Sequence, residues 1–199
     1  MTTDTEHADK MKRIKAARDR MMAGKTGDRG LLIVHTGKGK GKSSAAFGMV
    51  MRCLGHGMRV GIVQFIKGAW ETGEARLLAH FPELVEIRTL GEGFTWETQD
   101  RARDLAAAGR AWNAARGMLS DPGFAMVVLD ELNVALRYDL VPLADVLAAL
   151  AQRPALQHAV VTGRNAPEGL IEAADLVTEM SLVKHPFRDG IKAQKGVEF

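Results

Sequence analysis

A chain of 199 residues, 46% apolar and 26% charged, holds enough material for one well-buried domain and too little for two comfortable ones. Its longest stretch without Asp, Glu, Lys or Arg, Pro154 to Gly163, is ten residues, well short of the roughly twenty apolar residues a bilayer-crossing helix needs. The net charge of +3 arises within residues 1–30, while residues 31–199 balance 19 basic against 19 acidic side chains, so the body of the protein gives no reason to expect a nucleic-acid surface.

Residues 1–29 read as a basic N-terminal arm, whose residues 10–29 carry Lys10, Lys12, Arg13, Lys15, Arg18, Arg20, Lys25 and Arg29 against only Asp19 and Asp28. The arm lacks the apolar segment of a secretory signal, so a cytoplasmic protein is expected. Met11, Ile14, Met21 and Met22 suit a helix resting on protein, and the alternative is a solvated, partly frayed terminus. Residues 30–199 are expected to form the domain proper. Leu31–Val34, apolar and bounded by glycines, has the pattern of a buried parallel strand. Val60–Phe65, Phe124–Leu129 and Ala159–Thr162 repeat it, and Leu84–Leu90, interrupted by Glu86 and Arg88, repeats it more weakly. Helical patterns lie between them. Leu105, Ala108, Trp112, Ala115 and Leu119 fall on one face of a helix, which makes Trp112 a core residue, and the lone Cys53 sits in a helix as a small buried side chain. Strands alternating with helices imply right-handed βαβ units and a mainly parallel sheet, with ligands at the carboxyl ends of its strands.

The run Thr36-Gly37-Lys38-Gly39-Lys40-Gly41-Lys42-Ser43-Ser44 follows the first strand and opens a helix, which is the context a phosphate-binding loop requires. Glycines let successive N–H groups converge on phosphate oxygens, Lys42 adds a point charge, and Ser43 adds a hydroxyl that can face a metal. The common pattern places glycine where this chain has Thr36, so the loop is a variant. Lys38, Lys40 and Lys42 crowd together, an arrangement that repels itself unless an anion or solvent intervenes. Val127-Val128-Leu129-Asp130-Glu131 supplies the partner motif, a buried strand ending in two acids. Alone it fits a helix N-cap as well as a metal site; beside the loop, Ser43, Asp130 and Glu131 become candidate Mg²⁺ ligands. The fold class expected is α/β, a P-loop NTPase-like (RecA-like) three-layer fold binding MgATP or a relative.

Four further stretches complete a pattern: Gln64-Phe65-Ile66-Lys67-Gly68, Gly93-Phe94-Thr95-Trp96-Glu97-Thr98-Gln99, Val128 through Leu132, and the ending Lys184 through Phe199. With the variant loop, this ordered set resembles the ATP:corrinoid adenosyltransferase family of the vitamin B12 pathway, over roughly Lys10 to Phe199. The resemblance implies that Co(I) of a reduced corrinoid attacks C5′ of ATP and expels triphosphate, with the nucleotide reversed in the loop relative to other P-loop proteins. It implies catalytic roles for Lys42, Phe94 and Trp96, the two aromatics pressing on the lower corrinoid face to displace its axial ligand and ease reduction of Co(II). It further implies a reduced flavin or flavoprotein as electron donor, a homodimer, a C-terminal segment across the nucleotide site and a basic arm capping it. Cobalamin, cobinamide and cobyrinic acid a,c-diamide remain alternative substrates. No general base is needed, because no proton moves. Two other readings compete: a P-loop kinase or NTPase, resting on the loop and Asp130-Glu131 alone, and a RecA-like nucleic-acid-binding module using the arm.

Overall fold

The computed structural model describes residues 4–66, 72–91 and 100–198. Six strands form one sheet: β1 (Leu32–Thr36), β2 (Val60–Gln64), β3 (Val85–Thr89), β4 (Met126–Asp130), β5 (His158–Thr162) and β6 (Leu176–Glu179). Their order across the sheet is β3-β2-β4-β5-β1-β6, and every pairing is parallel. The helices are α1 (Asp4–Ala23), α2 (Lys42–Gly55), α3 (Gly73–Leu78), α4 (Arg101–Ser120), α5 (Leu132–Arg137), α6 (Leu143–Gln152) and α7 (Glu168–Ala173). One strand, β5, separates the loop-bearing β1 from the acid-bearing β4, as in a RecA-like sheet.

The apolar runs form strands here because both of their faces are covered. One layer of core joins Ile33, Val60, Ile62, Val128 and Val160 to Ala46, Phe47 and Val50 of α2. On the opposite face, Val34, Val63, Val127, Leu129 and Val161 pack against α4, α5, α6 and α7. Parallel strands leave no hairpins to set their register, so the connections need local punctuation. Asp100 caps α4 by accepting from Arg103 N at 3.1 Å, and Thr72 caps α3 by accepting from Ala75 N at 3.3 Å. Buried Gln157 donates from Nε2 to the carbonyls of Met118, Asp121 and Phe124, at 3.2, 2.9 and 3.2 Å, tying the end of α4 to the entry of β4.

The five strands expected from sequence are all present, with ends shifted by one or two residues. Trp112 and Cys53 are buried as expected, and burial pushes the Cys53 thiol up. Two expectations need correction. Leu105 is 40% exposed, one turn too early in α4 to reach the core that receives Ala108, Trp112, Ala115 and Leu119. Strand β6 has no counterpart among the strands expected from sequence, being an edge strand whose four residues are all exposed and carry no continuous apolar run. Helix α1 buries none of its residues, leaving Met11, Ile14, Met21 and Met22 exposed. Among the described residues, no helix is long and apolar enough to cross a membrane.

His35, next to last in β1, is buried, and neither ring nitrogen has a hydrogen-bond partner among the described residues. Burial pushes its imidazole below the ordinary value. The folded state therefore resists protonation that the unfolded chain accepts below about pH 6.5, so stability is full above that pH and falls as acid is added. His35→Phe should flatten this acid limb. Urea unfolding at about pH 7.5 and about pH 5 should show a smaller loss for the variant than for the parent, and equal losses would refute the assignment.

Candidate active site

The carboxyl ends of β1, β4 and β5 deliver the site. Leaving β1, the loop turns through Gly37 at φ 97° and Gly41 at φ 103°, backbone values an L side chain rarely adopts. Its bed is the segment after β6. Gly39 N donates to Met180 O at 2.6 Å, and Met180 N donates to Thr36 O at 2.9 Å. A Cβ on Gly37 would sit 2.5 Å from Met180 O, and one on Gly39 would sit 2.6 Å from Ser181 O. These glycines are therefore needed for close approach as well as for curvature. Gly41 occupies the N-cap position of α2 without a side-chain cap, so no capping side chain competes for the N–H groups of that first turn.

Lys42 is buried and its Nζ donates to Gly39 O at 2.6 Å, folding the ammonium back over the loop. Burial pushes its pKa down, the Glu131 carboxylate pulls it up, and Arg164 and Lys40 push it down again. Ser43 Oγ donates to Asp130 Oδ1 at 2.7 Å. Asp130, wholly buried, accepts also from Thr162 Oγ1 at 2.8 Å and, through Oδ2, from Gln64 Nε2 at 3.1 Å. Glu131 takes the N-cap position of α5 in the left-handed region, φ 62°, with no side-chain cap bond, and its N–H donates to Thr162 Oγ1 at 2.9 Å. The two acids thus have separate surroundings, Asp130 inside the sheet edge and Glu131 on the cleft wall.

That cleft has a volume of about 700 Å³, within the usual range for small-molecule sites. Lys42, Ser43, Glu131, Arg137, Tyr138 and Arg164 are among the residues that line it. Gly196 to Glu198 close its rim, where Glu198 pairs with Lys40 and is held below the usual carboxylate range by that contact. Of the predicted loop residues, Gly39 through Ser44 line the cleft. Thr36, Gly37 and Lys38 do not: Lys38 is exposed, and the Thr36 hydroxyl accepts from Ala166 N at 3.1 Å, joining the loop to the turn after β5. Phe94 and Trp96 lie outside the described residues. Gln64, Thr162, Arg137, Tyr138 and Arg164 received no role from sequence, although polar residues closing apolar strands β2 and β5 were a readable signal.

Among the described residues, no group of three His, Cys, Asp or Glu side chains could hold a metal. The Ser43 hydroxyl and Asp130 carboxylate nonetheless suit Mg²⁺, which typically takes one or two protein oxygens and completes its shell with phosphate and water. These donors fit the ion in the presence of a nucleotide, with Glu131 on the adjacent wall.

The family described as ATP:corrinoid adenosyltransferase BtuR/CobO/CobP matches residues 28–199 of this chain. The chain belongs to that family. It is therefore a corrinoid adenosyltransferase by family membership, an enzyme built on a P-loop sheet. The corrinoid adenosyltransferase of Pseudomonas aeruginosa is 60% identical over 196 residues, covering 98% of this chain and 97% of that one. The corrinoid adenosyltransferase of a Sinorhizobium species is 59% identical over 198 residues, covering 98% and 92%. That of Escherichia coli K12 is 44% identical over 197 residues, covering 99% and 100%. The resemblance expected from the ordered motifs thus holds over nearly the whole chain.

The close approach at Gly39 makes a direct test of the adenosyltransferase loop. Gly39→Ala should weaken ATP binding by about tenfold or more, about 1.4 kcal/mol, in calorimetric titration. Gly55→Ala, where an added Cβ meets nothing within 4 Å, should leave ATP affinity unchanged.

Proposed function

We propose that the protein transfers the 5′-deoxyadenosyl group of ATP to the Co(I) centre of a corrinoid and releases inorganic triphosphate. One observation carries the reading: the loop bearing Lys42 and Ser43 opens on a cleft of about 700 Å³ beside Asp130, in a chain whose residues 28–199 match the adenosyltransferase family.

In the displacement, the cobalt lone pair forms a Co–C bond at C5′ while the C5′–O bond breaks and its electron pair leaves on triphosphate. No proton changes hands, so the protein's task is to align the reactants and to stabilise charge gathering on the leaving oxygens. Lys42 is placed for the second task. When triphosphate enters, its oxygens replace Gly39 O as the partner of the Lys42 ammonium, and the first-turn N–H groups of α2 add their dipole. Arg164, near enough to push the Lys42 pKa down, gives the cleft a further positive charge. Mg²⁺, held through Ser43 and Asp130 with Glu131 nearby, supplies further charge neutralisation on the phosphates when bound.

Phe94 and Trp96 are assigned to the corrinoid face by the resemblance of their loop. Displacing the axial ligand of Co(II) raises its reduction potential, bringing it within reach of a reduced flavin or flavoprotein. The basic arm, residues 1–29, is assigned as a cap over the cleft in a homodimer, with the reaction in the cytoplasm. The acceptor is a complete cobalamin, cobinamide or cobyrinic acid a,c-diamide.

Incubation with ATP and chemically reduced corrinoid should release triphosphate and yield a photolabile cobalt–carbon product. ADP or orthophosphate as the sole phosphorus product would instead indicate a kinase or NTPase. Lys42→Ala should lower turnover by roughly 10²–10³-fold, the loss typical of removing one fixed charge from a developing anion. Phe94→Ala and Trp96→Ala should spare transfer from preformed Co(I) and slow the route that starts from Co(II) and reduced flavin. Equal losses in the two assays would assign these aromatics to packing.

A further inference from the structure

We propose that Gln64 and Thr89 are positioning residues for the divalent cation carried by the nucleotide, acting through Asp130. This deepens the proposed function and rests on its reading of Asp130 as a metal-side carboxylate.

The three residues form one row across three strands. Gln64 stands in register with Thr89 of β3 on one side and with Asp130 of β4 on the other, so all three side chains leave the same face of the sheet at its carboxyl edge. Thr89 Oγ1 donates to Gln64 Oε1 at 2.9 Å, and Gln64 Nε2 donates to Asp130 Oδ2 at 3.1 Å. Gln64 turns its NH₂ group toward the Asp130 oxygen, which leaves Oε1 for a donor; Thr89 is that donor. Gln64 is 3% exposed, and burying an amide there would be costly unless both of its ends were engaged.

Fixing Oδ2 fixes the plane of the carboxylate. Oδ1 then accepts from Ser43 Oγ at 2.7 Å and Thr162 Oγ1 at 2.8 Å, so the carboxylate that would hold a nucleotide-borne cation with Ser43 keeps one orientation. An apolar residue ending β2 would fill the space equally well but would take away the donor on Oδ2, loosening a carboxylate that Ser43 and Thr162 hold at Oδ1. Outer partners of this kind typically contribute 10–100-fold to metal affinity.

The test is Mn²⁺ binding to the full chain saturated with ATP, read by electron paramagnetic resonance, with metal-free ATP binding measured by calorimetry in chelator. Gln64→Leu should weaken Mn²⁺ by about tenfold or more and leave metal-free ATP affinity unchanged. Thr89→Val should weaken Mn²⁺ by roughly two- to tenfold, the worth of one hydrogen bond. Gln64→Leu/Thr89→Val should match Gln64→Leu alone, because Thr89 acts only through the amide. Thr89 lies on the outermost strand and is exposed, so its variant carries the test if Gln64→Leu does not fold. Wild-type Mn²⁺ affinity in both single variants, with Asp130→Asn losing it, would overturn the positioning role and leave the metal reading intact. Wild-type affinity in Asp130→Asn would overturn both.

Discussion

A carboxylate shut away from water organises this site. Asp130 is wholly buried, and a buried charge costs several kcal/mol unless its oxygens are satisfied. Ser43 donates to it from the first turn of α2, Thr162 from the end of β5 and Gln64 from the end of β2, and Thr89, at the end of β3, donates in turn to Gln64. Each arrives only if its strand ends at the same level as β4. The satisfaction of one side chain is therefore coupled to the register of four parallel strands and to the start of the helix behind the phosphate loop. The site and the sheet are specified together.

The three crowded lysines of the loop meet three different fates. Lys38 is exposed, where solvent screens it. Lys40 pairs with Glu198, and Lys42 lies buried against the Gly39 carbonyl with its pKa pushed down. The mutual repulsion visible in their spacing is thus dispersed by separate partners. Two of those partners, a carbonyl and a half-buried carboxylate, are ones a polyphosphate replaces with stronger charge complementarity.

What was legible in the sequence was whatever is local. The glycines at 37, 39 and 41, with Lys42 and Ser43, spell the loop within a few residues, and the apolar run ending in Asp130 gives both a buried strand and its acid. Strands β1, β2, β4 and β5 were readable because continuous apolar runs mark burial on two faces, and β3, at the edge and only partly buried, gave a weaker signal. Strand β6 escaped because it is exposed and its residues carry no such run. Gln64 was visible as part of a motif, yet its partner Thr89 lies 25 positions away, and only the sheet brings them together. Arg164 and Arg137 were equally silent, since an exposed arginine after a strand or at a helix end has no spacing that announces a cleft. The two candidate acids, indistinguishable as a dipeptide, differ in the fold because the chain turns through a left-handed Glu131, sending Asp130 inward and Glu131 to the wall.

Strand β6 and the two residues after it contribute little to the apolar core, yet Gly39 hydrogen-bonds to Met180, and Gly37 and Gly39 lie directly against the Met180–Ser181 backbone. The nucleotide cradle is encoded near residue 40 but takes its shape only once residue 181 has been synthesised. During translation the growing polypeptide thus carries an unformed cradle through most of its length, and a finished phosphate loop is among the later properties it acquires.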